Sequence, residues 1–452
     1  MDFTVQDIIE LLKNKQYKQL RATLAEMYPY EIAELFNSLS NEYVPLAFRL
    51  LPKELAAETF VEMDSDAQEL LIKSFSDSEL KEVIEELYID DAVDIVEEMP
   101  ANVVRRMLSQ ATPEMRRNIN EILKYPELSA GSIMTTELVE LKSFMSAGEA
   151  ITRIRRTGVD KETINTCYVT AGDRKLIGVI SLRTLILAEE DSIVADLMET
   201  NVLSVNTLED REIAADMFNK YNIIALPVVD NESRLVGIIT VDDAMEVMEE
   251  EVTEDIEKMA AIVPGDKPYL KTGVFETWLR RIPWLLLLMI SATFTGSIIN
   301  SFEKALTALP VLISFIPMLM DTGGNAGGQA SVTVIRSLAI GDIEMSDILR
   351  VVWKELRTAF ICGITLAAVG YGKILLVDNM IMGMGVSQME ALVVCITIFI
   401  TVLCAKLVGC TLPILAKKIG LDPAVMASPF ITTIVDAISL AIFFALSMLI
   451  LL

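Results

Sequence analysis

Two sets of carboxylates stand out by type and spacing. The first is Asp436, alone in the apolar run FITTIVDAISLAIFF at 430–444, with no lysine or arginine on its own segment. An ionisable side chain at bilayer depth costs roughly 2.5–3.5 kcal/mol on insertion scales, so it must face protein or water; it either fixes helix packing or marks an ion path. Thr432 and Thr433 lie one turn before it, Ser428 one turn further, and Pro429 is placed to open the helix. One stripe of that helix can therefore line a pore. The second set is the stretch DDAMEVMEEEVTEDIEK at 242–258, nine carboxylates against the single Lys258. As a helix it aligns Asp243, Glu246, Glu250, Glu254 and Glu257 on one face, where like charges repel. Further acids recur upstream: Asp90 and Asp94 of DDAVD share a helix face, and Asp210 and Glu212 sit in LEDRE. Such sets are either solvated acidic faces or oxygen ligands for hard cations. The chain contains no histidine, which removes the commonest transition-metal ligand and every Ser-His or Cys-His arrangement. Mg, Ca and Mn remain.

The elements behind these residues divide the chain. Of 452 residues 52% are hydrophobic, mean hydropathy is +0.45, and yet the net charge is −26. The conflict resolves by region. Residues 271–452 carry 12 basic and 11 acidic side chains, whereas residues 1–270 carry 26 and 53, a net of −27. So acidic a surface argues against nucleic acid and anionic lipid as partners and favours small cations. The start, MDFTVQDIIELLKNK, lacks a basic stretch followed by a cleavage site, so the first part is expected to stay cytosolic. Cys362, Cys395, Cys404 and Cys410 lie in apolar segments and Cys167 outside them, without CxxC spacing; they read as small hydrophobes.

Residues 1–128 read as an all-α domain of short amphipathic helices punctuated by Pro29, Pro45, Pro52, Pro100 and Pro113. From about 130 the period changes. The β-rich runs CYVT, KLIGVIS, ALPVVD and RLVGIIT alternate with helical stretches, which makes an α/β module. It is repeated: SIMTTELVEL at 132 returns as DLMETNVLSV at 196, and KLIGVISLRTLI at 175 as RLVGIITVDDAM at 234. The two copies, 129–195 and 196–241, resemble a tandem pair of CBS domains, a unit that packs as a pair and often binds adenine nucleotides. An acidic connecting helix is expected over 242–272.

Residues 273–452 read as an α-helical transmembrane domain of five helices, with apolar runs near 284–301, 305–320, 358–377, 391–415 and 429–452; about 20 such residues span a bilayer. Arg280, Arg281, Arg336, Arg350, Lys354, Arg357, Lys417 and Lys418 fall on one side, against Lys304 and Lys373 on the other. That bias puts the N-terminus in the cytoplasm and the C-terminus outside. The second run ends in PMLMDTGGNAGGQAS. Its glycines are expected to break the helix beside Asn325 and Gln329, either at membrane depth against a wet cavity, which makes Asn325 a pore-lining candidate, or in a cytosolic loop. Lys406 is a second intramembrane charge that either snorkels or pairs.

In this order of parts, with GGNAGGQ and LDPAVMASPFITTIVDAISL, the whole chain resembles the MgtE family of magnesium channels and transporters. The resemblance implies a homodimer in a bacterial plasma membrane, a Mg2+ pore between subunits with Asp436 at the ion site, and Ser428 and Thr432 lining the path. It also implies cytosolic Mg2+ held by Asp90, Asp94, Asp210, Glu212, Asp243, Glu246, Glu251, Glu254 and Asp255. Mg2+ scarcity would then let these carboxylates repel and open the gate. Thr240 and Asp243 in GIITVDD match the pattern that contacts a nucleotide ribose in many CBS proteins, so ATP or AMP is expected at one site only. An enzyme is not expected, since one intramembrane carboxylate has no catalytic partner. A CBS-regulated anion transporter would call for basic membrane sites; a carrier of Mn or Co, or a divalent exporter, stays open.

Overall fold

The computed structural model describes residues 3–159, 161–265, 267, 269–302, 309–426 and 428–451, the side chain of Ser428 excepted. The chain divides into two compact units, residues 1–249 and 250–452.

The first unit opens with short helices: α1 (Val5–Lys13), α2 (Tyr17–Leu24), α3 (Pro29–Asn37), α4 (Val44–Phe48), α5 (Lys53–Val61), α6 (Ser65–Ser74), α7 (Asp77–Ile84), α8 (Ile89–Glu98), α9 (Ala101–Gln110) and α10 (Pro113–Ile122). Local chemistry sets their ends. Thr4 with Asp7 and Ser76 with Glu79 form capping boxes, and Pro29 and Pro113 occupy first-turn positions where a missing N–H costs nothing. Helices α1 and α2 are separated where Lys15 turns through φ 54°.

The α/β module follows the repeat. Strands β1 (Glu140–Lys142), β2 (Thr166–Thr170) and β3 (Leu176–Ser181) form one sheet in that order, parallel then antiparallel. Helices α11 (Ala147–Thr157), α12 (Leu182–Leu187) and α13 (Val194–Leu197) accompany it. Strands β4 (Val205–Asn206), β5 (Ala225–Val229) and β6 (Leu235–Thr240) repeat the arrangement with α14 (Arg211–Tyr221). The copies are tied by bridges Thr135↔Ile238 and Lys175↔Arg234. At Gly237 the Thr135 carbonyl lies 2.6 Å from where a Cβ would stand, so only glycine lets that bridge close. A single apolar core runs from Ile8 through α8 to Phe218, Ile239 and Val247, while the first copy has its own core around Leu141, Val169 and Ile180.

The acidic helix α15 (Val241–Met259) follows β6 directly and crosses from the first unit into the second. It ends well short of residue 272. Helices α16 (Val274–Ser301), α17 (Ile316–Ala339), α18 (Ile348–Lys373), α19 (Gln388–Lys418) and α20 (Ser428–Ile450) complete the second unit. No residue of α16 is buried within the chain. Among the described residues four segments are long and apolar enough to cross a membrane: Val274–Ser301, Met345–Ile381, Gln388–Lys418 and Pro423–Ile450.

The glycine segment corrects the sequence reading. Instead of breaking, it runs through the middle of the 24-residue α17, and the apolar run before it supplies a 3-10 turn at Pro310–Phe315. Packing is the reason. A Cβ at Gly323 would stand 2.8 Å from Thr401 and Ser439, one at Gly327 2.8 Å from Ile431, and one at Gly409 of α19 would collide with the Gly327 carbonyl. Small residues here let three helices approach backbone to backbone, which outweighs their weak helix propensity.

Candidate functional site

In the first unit the shared core lays the acidic face of α8 against the start of α15. Asp90 is buried, and its Oδ1 accepts from the Asp91 backbone N–H at 3.1 Å. Asp243 accepts from the Thr240 backbone N–H at 3.3 Å and from its hydroxyl at 2.6 Å. Burial, then the charge of Asp91, raises the Asp90 carboxyl, and burial, then Asp90, raises Asp243. Burial with Asp243 and Asp242 lifts Asp91 to about 7, and burial with Glu246, Asp243 and Asp90 lifts Asp94 to about 8. Asp90 is buried, Asp91 and Asp243 are partly buried and Asp94 is exposed at the edge, and each carboxylate stands among its own kind.

Three members of this cluster escape sequence reasoning. Asp91 adjoins Asp90, which was the available signal. Glu137 and Glu162 carried none, being scattered in sequence. The Glu137 side chain accepts from the Ile89 backbone N–H at 3.2 Å, and its carbonyl accepts from the Glu162 N–H at 3.0 Å. Glu162 is lifted to about 9 by burial, then by Asp90, Asp91 and Asp243, and its Oε2 is buried without a hydrogen-bond partner. These all-oxygen groups are of the type that suits a hard divalent ion. Among the described residues no three of them converge to hold a metal ion.

Asp210 and Glu212 are not part of this gathering. Both are exposed at the start of α14, where Asp210 Oδ1 caps the helix by accepting from the Glu212 N–H at 2.9 Å. Glu251, Glu254 and Asp255 fall on the part of α15 that belongs to the second unit. Glu254 pairs with Lys258 at 2.5 Å. Asp255 is raised by burial and then by Asp422, against the pull of Lys258.

In the second unit Asp436 is half-buried on α20. Thr432 and Thr433, one turn earlier, donate their hydroxyls to the Pro429 carbonyl at 2.9 and 3.1 Å. The Ser428 side chain lies outside the described residues. Gly324 brings α17 so close that a Cβ there would stand 2.9 Å from Thr432. The charged group that acts on Asp436 is Asp321, also missed from the sequence, which accepts from Asn325 at 3.1 Å. Asp321, Asn325, Gln329 and Thr333 recur every four residues and are all exposed, a polar stripe along one face of α17. Lys406 neither snorkels nor stands alone. It is buried 3.5 Å from Glu355 of α18, itself only 13% exposed.

Comparison with known proteins accounts for the order of parts. Residues 27–128 match the MgtE intracellular N domain, 130–191 and 194–250 the CBS domain, and 316–446 the MgtE divalent cation transporter domain. The magnesium transporter MgtE of Thermus thermophilus is 35% identical over 446 residues, 98% of this chain and 97% of that protein. The magnesium transporter MgtE of Bacillus subtilis is 30% identical over 444 residues, 97% and 96%. The solved cytosolic domain of the Mg2+ channel MgtE in complex with ATP aligns at TM-score 0.51 and 35% identity, covering 54% of this chain and 99% of that one.

Proposed function

This chain belongs to the MgtE family of divalent cation transporters, and from that premise we propose that it is a Mg2+ channel closed by cytosolic Mg2+. The observation that carries the reading is Asp436, an intramembrane carboxylate with Thr432 one turn away and the Asp321–Asn325 stripe of α17 beside it. Such a site holds a largely hydrated ion through its waters. With the inside negative, two charges crossing about 100 mV gain about 4.6 kcal/mol, enough to drive uptake without ATP hydrolysis.

The path lies between two copies of the chain, with α17 as the fifth span, the N-terminus in the cytoplasm and the C-terminus outside. The domains are the helical region 1–128, CBS copies 129–195 and 196–241, the connecting segment 242–272 and the membrane domain 273–452. Abundant internal Mg2+ neutralises Asp90, Asp94, Asp243 and Glu246, assisted by Asp91, Glu137 and Glu162, and with Asp210, Glu212, Glu251, Glu254 and Asp255 holds α15 in its closing position. ATP binds at Thr240 and Asp243, where it competes with the Thr240–Asp243 hydrogen bond. A multi-site arrangement is required, because moving a gate from 1:99 to 99:1 takes about 5.5 kcal/mol of differential binding.

The test is Mg2+ entry into dye-loaded vesicles containing the purified chain, with Mn2+, Co2+ and Ca2+ in parallel. Wild type is expected to admit Mg2+ and Asp436→Ala to admit none. Vesicles that stay impermeable to Mg2+ at every internal concentration would overturn the reading, and equal flux through Asp436→Ala would remove that residue from it.

A further inference from the structure

The lone lysine of the acidic stretch has a structural address. Lys258 lies in the last turn of α15, where a cation suits the carbonyl end of the helix. Its Nζ sits 2.5 Å from Glu254 one turn back and 2.6 Å from Asp422. All three side chains are two-thirds or more buried. Asp422 is itself held: its Oδ1 accepts from the Ala424 N–H at 2.8 Å, at the start of the 3-10 turn Pro423–Met426 that leads into α20. Beside this pair Met259 packs on Ile335 of α17 and on Ala424.

We propose that Lys258 is a positioning residue for the gate: a cation built into the chain that, through Asp422, fastens the end of α15 to the turn in front of α20. The proposal rests on the Mg2+-closed channel described above and adds how the acidic helix reaches the ion path. Metal-responsive carboxylates occupy α15 upstream of this point, and its last turn is held by a charge that cannot dissociate from the protein. Movement of the helix is thereby delivered to Asp422, the turn and the helix bearing Asp436. Without the fastening, Mg2+ still binds the upstream carboxylates, but much more of it is needed to close the path.

The test is patch recording of the full-length chain, with internal Mg2+ varied and conductance and ion selectivity read on the same patches. Lys258→Gln and Asp422→Asn each remove a buried charge-assisted bond, and each is expected to raise the Mg2+ needed for half-closure about tenfold or more. Unitary conductance and selectivity stay at wild-type values. Lys258→Arg keeps wild-type closure, and the exchange K258D/D422K restores it; this exchange also carries the test if a single substitution fails to assemble. Wild-type closure in both Lys258→Gln and Asp422→Asn overturns the proposal, as does a conducting K258D/D422K channel that fails to close. Failure of the wild type itself to close would instead remove the Mg2+-gated reading on which the proposal stands.

Discussion

Replacing Asp94 by asparagine should stabilise the cation-free protein. Asp94 is raised from 3.8 to about 8, by burial first and then by Glu246, Asp243 and Asp90. At about pH 7 the surrounding solution stands about three units above the ordinary carboxyl value, so at about 1.4 kcal/mol per unit the folded state forgoes at most about 4 kcal/mol at this one residue. Asp94 is exposed over more than a third of its surface, and solvent screening reduces this to about 1 kcal/mol. The sign follows from proton binding. A carboxyl whose folded value is raised binds more protons folded than unfolded, so its stabilisation is complete below about pH 4 and is lost as pH rises through about 8. Asparagine has the same shape and no such loss. Thermal unfolding of the full-length chain in chelator should therefore show Asp94→Asn melting about 2–4 °C above wild type near pH 8, taking about 2–4 °C per kcal/mol for a unit of this size. The two should converge towards pH 5, and Mg2+ should raise the wild-type melting temperature more than that of Asp94→Asn, because the ion supplies the missing countercharge. An Asp94→Asn protein that melts at or below wild type near pH 8, or a wild type whose stability grows over this interval, would refute the reasoning.

Other outcomes follow from the same contacts. Lys406→Met, leaving Glu355 buried and unpaired, should cost about 3–5 kcal/mol, and the double change K406M/E355Q much less; denaturation of detergent-solubilised protein checks both. Gly327→Ala should abolish assembly of the membrane unit, measured by size-exclusion chromatography, because the Cβ has Ile431 at 2.8 Å and the Ala405 carbonyl at 3.1 Å to displace. Glu162→Gln should lower the affinity of the cytosolic region for Mg2+ in calorimetry while leaving open-channel conductance untouched, since its uncompensated Oε2 lies among Asp90, Asp91 and Asp243.

Where sequence and structure agree, a local signal was strong. The four β-rich runs are strands β2, β3, β5 and β6, and the repeat between them is the repeat of the two sheets. Strands β1 and β4, of three and two residues, are too short to carry a period. The glycines of α17 misled because propensity is local, whereas the contacts that require glycine come from α19 and α20, at Thr401, Ile431 and Ser439. The acidic cluster was half legible. Asp90, Asp94, Asp243 and Glu246 lie in visibly acidic stretches, but Glu137 touches Ile89 across 48 positions, and nothing in its own neighbourhood announces that. Lys406 and Asp436 were visible as charges in apolar runs, whereas their neighbours Glu355 and Asp321 are set by helix packing.

Helix α16 spans 28 residues without one buried position in its own chain. Its first turns carry Glu276, Arg280 and Arg281, and the apolar run that follows, 284–301, is about 27 Å long at 1.5 Å per residue, close to a hydrocarbon layer of about 30 Å. The helix therefore fits a bilayer without leaning, its charged start at the aqueous boundary. With no side chain committed to its own chain, the whole girth of that run is left for lipid or for a second copy to cover.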